Sequence, residues 1–125
     1  KMQHHIWTMD TDGKNLKRIT SGKGFETHPS FSPDQKYISF TSNRNGTDYE
    51  IYTTTLAGEV QQITHNPGLD TNPCFSSDGQ KIVFVSNRSG TQQIWMMDQD
   101  GSNPVALTEA ETPSVDPAWG AWELK

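Results

Sequence analysis

The residues able to do chemistry in this chain are not scattered; they recur. Arg44 and Arg88 stand 44 positions apart, and Asp34 and Asp78 keep the same step. Repeated guanidinium groups could build an anion site. His28, with Asp70 and Asp116 on neighbouring loops, could supply the converging ligands that a metal needs. Glu26, Asp70 and Asp116 could pair as acid and base, as glycosidase carboxylates do. Cys74 could serve as a nucleophile, and Trp7, Trp95, Trp119 and Trp122 could stack on sugar rings. Each reading meets the same objection. Residues that maintain a fold repeat at the same phase, whereas a single active site need not. Asp34 and Asp78 therefore read as turn caps, and Arg44 and Arg88 as ties to loops or carboxylates. Cys74 replaces Ser30 and Ala118 at one repeat position and reads as a small residue packed in an inner strand. His4 and His5 read as part of a frayed end, and His65, in a D-to-A loop that could face the axial mouth, reads as an ordinary polar loop residue. No Gly-x-Ser-x-Gly elbow, His-Glu-x-x-His pair or phosphate loop is present. The expectation is a chain without a catalytic residue, metal or cofactor.

The elements that carry these residues follow from the repeat. Phe25-Glu26-Thr27-His28-Pro29-Ser30-Phe31-Ser32 returns as Leu69-Asp70-Thr71-Asn72-Pro73-Cys74-Phe75-Ser76, then as Pro113-Ser114-Val115-Asp116-Pro117-Ala118-Trp119-Gly120. Thr20, Thr64 and Thr108 keep the same step. Ser32-Pro33-Asp34-Gln35 matches Ser76-Ser77-Asp78-Gly79, and Ser42-Asn43-Arg44-Asn45-Gly46 matches Ser86-Asn87-Arg88-Ser89-Gly90. One extra residue near Asp48 is cancelled by a shorter turn at Ala57-Gly58, a compensation that surface turns tolerate.

Each copy predicts four short strands, A to D. A is the Pro-small-aromatic-Ser segment, entered from a loop that holds Glu26, Thr27 and His28 or their counterparts. B is Lys36 to Ser42, with Ile38 and Phe40 on one face. Val83 and Val85 occupy the other face in the second copy, so both faces are covered. C is Tyr49 to Thr54 and D is Val60 to Thr64. Four antiparallel strands every ~40–50 residues, with aromatics at fixed phase, predict an all-β chain of β-propeller blades. Helical repeats would show a 3.6-residue period, and a β-sandwich has no reason for a regular step.

Composition narrows the function. The net charge is −5, which argues against nucleic acid as partner, since phosphates are bound largely by Lys and Arg. Apolar residues are only 31% and no run approaches the ~20 needed for a membrane span. Aromatics reach 10%, so a few large side chains do most of the burying and disorder is not expected. The single cysteine excludes an intrachain disulfide. No basic-then-apolar leader opens the sequence, so a secreted form would already have lost it.

At Pro29 to Asp34, Ile38 to Arg44, Ile94 to Asp98, Asp100-Gly101 and Leu107-Thr108 the chain resembles the WD40-like (PD40) repeat of the TolB family. The resemblance implies a six-bladed propeller, a periplasmic or secreted location, and a protein partner bound at the loops between blades. The positions that match those loops are Glu26, Thr27, His28, Asp70, Thr71, Asn72, Ser114, Val115 and Asp116. Trp122 joins them as an interface residue because it breaks the repeat, standing where the turn aspartate should be. Similar blades also occur beside peptidase domains and in sugar-degrading lyases.

The strand count predicts one segment over 1–125, with repeats near 1–27 (partial), 28–71, 72–115 and 116–125 (partial). Three full repeats would need about seven more residues, one B strand, expected just before Lys1. The last A strand falls at Asp116–Trp122. Such an arc is about half of a six-bladed ring and leaves apolar blade faces to be covered. The expectation is a non-enzymatic binding scaffold for a protein or peptide. Two copies would close head to tail into a homodimeric ring, unless the arc belongs to a longer chain. The alternative is a propeller that binds or acts on a carbohydrate or small ligand in its axial pocket.

Overall fold

A computed structural model describes residues 3–46 and 48–108. Among these residues, ten strands form three antiparallel sheets. The first holds β1 (Trp7–Thr8) and β2 (Lys17–Arg18). The second runs in simple order through β3 (Glu26–Phe31), β4 (Tyr37–Ser42), β5 (Glu50–Thr55) and β6 (Val60–Gln62). The third repeats it with β7 (Asp70–Phe75), β8 (Lys81–Ser86), β9 (Gln93–Asp98) and β10 (Val105–Ala106). The all-β, four-stranded blade expected from the repeat is therefore present. The final A strand expected at Asp116–Trp122 lies outside the described residues, as do Ser114 and Val115.

Turn chemistry explains the hairpins. Ser32 Oγ and the Lys36 amide both donate to Asp34 Oδ1, at 2.6 and 3.0 Å. Ser76 Oγ and the Gln80 amide do the same for Asp78, at 2.7 and 2.9 Å. The serine hydroxyls, then the amides, hold both carboxyls below the usual aspartate range. The compensating length change sits one position beyond the expected turn. Asn15 and Asn103, both in the left-handed region at φ 57° and 53°, follow the turns after β1 and β9, and the turn after β5 lacks that residue.

The blades pack through alternate faces. Ile6 and Ile19, flanking the two strands of the first sheet, meet Ile38, Phe40 and Tyr52 of the second. Ile51 and Ile63, from the opposite face of that second sheet, meet Phe75, Ile82, Phe84 and Met97 of the third. Both faces of β4 and β8 are accordingly buried. A threonine fastens strand C to D in each unit. Thr20, Thr64 and Thr108 Oγ1 accept from the amides of Ile6, Ile51 and Ile94 at 2.9, 2.9 and 3.0 Å. The same hydroxyls donate to Glu26, Glu50 and Gln93. A hydroxyl oxygen can do both at one atom, which accounts for a hydroxyl residue at this constant position.

The same residue types end differently where a neighbour is lacking. Phe75 is 8% exposed against the preceding blade, whereas Phe31, its counterpart, is 50% exposed. Trp7, which stands at the position of Tyr52 in the second sheet, is exposed, and no described sheet stands ahead of β1. Gly101 shows the other side of this. A Cβ there would lie 2.4 Å from the Ile63 carbonyl of the preceding blade, while at the matching Gly13 it would meet nothing within 4 Å. Both have positive φ, 92° and 85°. Gly13→Ala should cost the ~1–2 kcal/mol of left-handed strain. Gly101→Ala should cost at least about 1 kcal/mol more, because backbone must move. Urea unfolding of the two variants measures the difference, and equal losses would contradict the packing.

Candidate partner-binding site at the blade junctions

Glu26, Thr27 and His28, expected in a loop before strand A, belong to the strand itself, and so do Asp70, Thr71 and Asn72. The strand survives its proline because it carries a β-bulge. Pairing shifts between Thr27 and Ser30, and between Thr71 and Cys74. His28 and Asn72 take up the extra residue at φ 54° and 55°. Pro29 and Pro73 then fall where the ladder is interrupted and no donor is needed.

The bulge divides the expected site. Glu26 and Asp70 point inward and are buried, so they are not surfaces for a partner. Asp70 is fully buried, with Arg88 Nη2 at 2.7 Å and Ser86 Oγ at 2.5 Å. Arg88 lies over Phe84 and Trp95, its guanidinium carbon 5.2 and 5.0 Å from the ring centroids. Glu26 takes Arg44 and Thr20 in the same way, with Arg44 over Phe40 and Tyr52 at 5.6 and 5.7 Å. Each blade thus holds a carboxylate, an arginine and two aromatic rings in one stack. Asp70, spent on Arg88, is not a metal ligand beside His28. No group of three or more His, Cys, Asp or Glu among the described residues could hold a metal ion.

Thr27, His28, Thr71 and Asn72 stay nearer solvent; His28 is exposed and the other three are half-buried. Thr27 Oγ1 lies 3.0 Å from His28 Nδ1, and Thr71 Oγ1 donates to Asn72 Oδ1 at 2.8 Å. The two strands lie side by side. Thr41 joins them across the junction: its hydroxyl is 3.2 Å from Thr71 Oγ1 and accepts from the Asn72 amide at 3.1 Å. The arrangement offers hydroxyl, imidazole and amide groups on a rigid base. Cys74 is half-buried, its thiol 3.7 Å from the Phe75 carbonyl. Ser114, Asp116 and Trp122 lie outside the described residues.

The residues that sequence reading missed are His5 and Glu50, each just before the isoleucine (Ile6, Ile51) at the position where the third unit has Gln93. Glu50 is buried, and no Lys or Arg pairs with it among the described residues. Burial, then the Asp70 charge, raises its pKa above the ordinary 4.5, against hydrogen bonds from Thr64 and the Asn66 amide. A raised folded-state pKa means that the native fold binds the proton more tightly than the unfolded chain. Glu50 therefore favours folding below the ordinary value, and that contribution is lost as pH rises through the raised one. Glu50→Gln should remove this slope. Urea unfolding from pH 4.5 to 7 should show the wild type gaining on the variant as pH falls; a constant difference would contradict it. Burial, then Arg18 and Arg44, lowers the His5 pKa, and its Nδ1 lies 3.5 Å from Glu26.

Sheets of four antiparallel strands, stacked face to face and fastened at bulged inner strands, define an arc of a β-propeller. The family can be named. The model of the TolB beta propeller domain, PD40, matches residues 47–123, more than half of the sequence, and the chain belongs to that family. The Tol-Pal system protein TolB of Bordetella pertussis is 48% identical over 46 residues, 37% of this chain and 10% of that protein. The crystal structure of TolB from Acinetobacter baumannii superposes with a TM-score of 0.80 at 34% identity, over 89% of this chain and 28% of that one. An oligogalacturonate lyase from Vibrio parahaemolyticus, at 18% identity and TM-score 0.62 over 86% of this chain and 30% of that one, shares the fold alone. The chain spans well under half the length of the TolB proteins it matches.

Proposed function

We propose that this chain is a non-enzymatic binding scaffold that presents its blade junctions to a protein or peptide partner. Thr27, His28, Thr71 and Asn72 form the contact surface, extended by Ser114, Asp116 and Trp122 of the following repeat. Glu26 and Asp70 act beneath that surface, as positioning groups. Asp34, Asp78, Arg44 and Arg88 maintain the blades. The observation that carries this reading is the pair of equivalent bulged strands, side by side, which turn small polar side chains outward from a buried ion-paired base. The kinship with TolB proteins, whose own name places them in a Tol-Pal system, supports a protein partner and a periplasmic or secreted location. No helix among the described residues is long and apolar enough to cross a membrane.

Two copies arranged head to tail complete a six-bladed ring, the exposed face at Trp7 and Phe31 of one meeting the last blade of the other. Rings of this kind close because two half-turns make a circle. The binding reading is tested by capture on the immobilised chain from periplasmic extract, with a Tol-Pal component as the first partner to probe. Replacing Thr27, His28 and Asn72 together by charged residues should abolish capture without unfolding the chain. Capture that survives these changes would overturn the assignment of the surface.

A further inference from the structure

We propose that the cavity between the second and third sheets binds a small organic diammonium ion. The cavity, of about 580 Å³, is bordered by the turns after β3, β7 and β9. Asp34, Asp78 and Asp100 bring three carboxylates to its described lining, against the single ammonium of Lys36. Each aspartate spends one oxygen on its own turn. Asp34 and Asp78 accept at Oδ1 from a serine hydroxyl and a backbone amide. Asp100 Oδ1 accepts from the Ser102 hydroxyl and amide at 2.5 and 3.0 Å. Oδ2 is left over in all three. The same hydrogen bonds hold these carboxyls below the usual aspartate range, so they are charged at neutral pH.

A second observation is independent of the carboxylates. Thr53 shares the face of β5 with Ile51, which meets the third sheet. It lines the cavity and is only 9% exposed. Its hydroxyl has no hydrogen-bond partner among the described residues, yet it is not sealed from solvent as the Trp95 indole nitrogen is. A hydroxyl in such a place is costly unless something in the cavity meets it. Thr53 also belongs to a polar row. Ser39, Thr53 and Gln61 are neighbours across β4, β5 and β6. The matching row of the third sheet is Val83, Met96 and Val105. A face that only had to pack against its neighbour would favour the apolar row.

The ligand class follows from the spacing of the charges. These carboxylates do not converge on one point, since no group of three among the described residues could hold a metal ion. They suit positive charges that are themselves set apart, with two ammonium groups balancing three carboxylates and one lysine. Phe75 and Ile63 supply apolar wall for the hydrocarbon between the charges. Tyr37, 44% exposed, adds a ring on which an ammonium can rest. The Thr53 hydroxyl accepts from the inner ammonium.

The test is an NMR titration of the intact chain at constant ionic strength, following backbone amide signals. The probes are diaminobutane, butylamine, magnesium chloride and glucose. Diaminobutane should give saturable shifts at the Thr53, Phe75 and Asp100 amides. Butylamine should bind about 3-fold more weakly, the effect of losing one partly exposed charge pair. Asp100→Asn should weaken diaminobutane by a similar factor, Thr53→Val should weaken it too, and Lys36→Gln should tighten it. Asp12→Asn removes the same charge from the matching turn of the first sheet and should change nothing. Tighter binding of glucose than of diaminobutane would overturn the diammonium assignment. No saturable shift, shifts reproduced by magnesium, or equal losses in Asp12→Asn and Asp100→Asn would overturn the site.

Discussion

Asp70→Ala should cost about 3–5 kcal/mol of folding stability, the usual consequence of stranding one partner of a buried ion pair. Asp70 is fully buried, and Arg88, held over two rings with its side chain only 19% exposed, would be left largely desolvated without its partner. Against a native stability of about 5–15 kcal/mol, such a loss leaves the chain marginal at best. The account also makes a rescue prediction. Arg88→Met, placed in the Asp70→Ala background, removes the stranded charge while still filling the space over Phe84 and Trp95. The double variant should recover most of the loss, because removing both partners of a buried pair is often nearly neutral. Urea unfolding of the two single variants and the double variant closes the cycle. A loss under 1 kcal/mol for Asp70→Ala would show that the pair carries little of the blade's stability.

Phe84→Ala should cost a similar amount, about 3–5 kcal/mol, for a different reason. Phe84 is fully buried where the third sheet meets Ile51 and Ile63 of the second. Its removal opens a cavity at the junction and also takes away one of the two platforms under Arg88. The blades share few covalent links, and their cooperation rests on this apolar contact. The variant should therefore unfold over a broader urea range, with a smaller m-value, than the wild type. It should also be non-additive with Asp70→Ala, since both act on Arg88. An unchanged, sharp transition would mean that the contact between blades is not what couples them.

Much of this architecture was legible in the residues. Ser-x-Asp turns, alternation over Ile38 to Ser42 and the threonine at constant phase all mark local features that the chain cannot realise in many ways. The family resemblance carried by those segments agrees with the PD40 match. The bulge was not legible. Repeat phase says that Glu26 and Asp70 share a role, but not on which side of the strand they lie. One inserted residue at His28 or Asn72 reverses the parity that inside-outside arguments depend on. Two acids in register with two arginines, Glu26 with Arg44 and Asp70 with Arg88, were the available signal for burial. Glu50 was hidden for another reason. Its position holds His5 and Gln93 in the other units, so no residue type repeats there even though each meets the Thr20, Thr64 or Thr108 region. Exposure of Trp7 and Phe31 depends on what stands ahead of β1, which no local pattern encodes.

The central claim is that the outer faces of this arc are covered by further blades. Trp7, Met9, Leu16 and Phe31 are all exposed, and a Cβ at Gly13 would meet nothing within 4 Å. Sedimentation equilibrium on the 125-residue chain is the most direct test. A folded species of twice 14.0 kDa, dissociating on dilution and weakened by Phe31→Asp, is the predicted result. A stable folded monomer of 14.0 kDa at micromolar concentration, indifferent to that substitution, would contradict it.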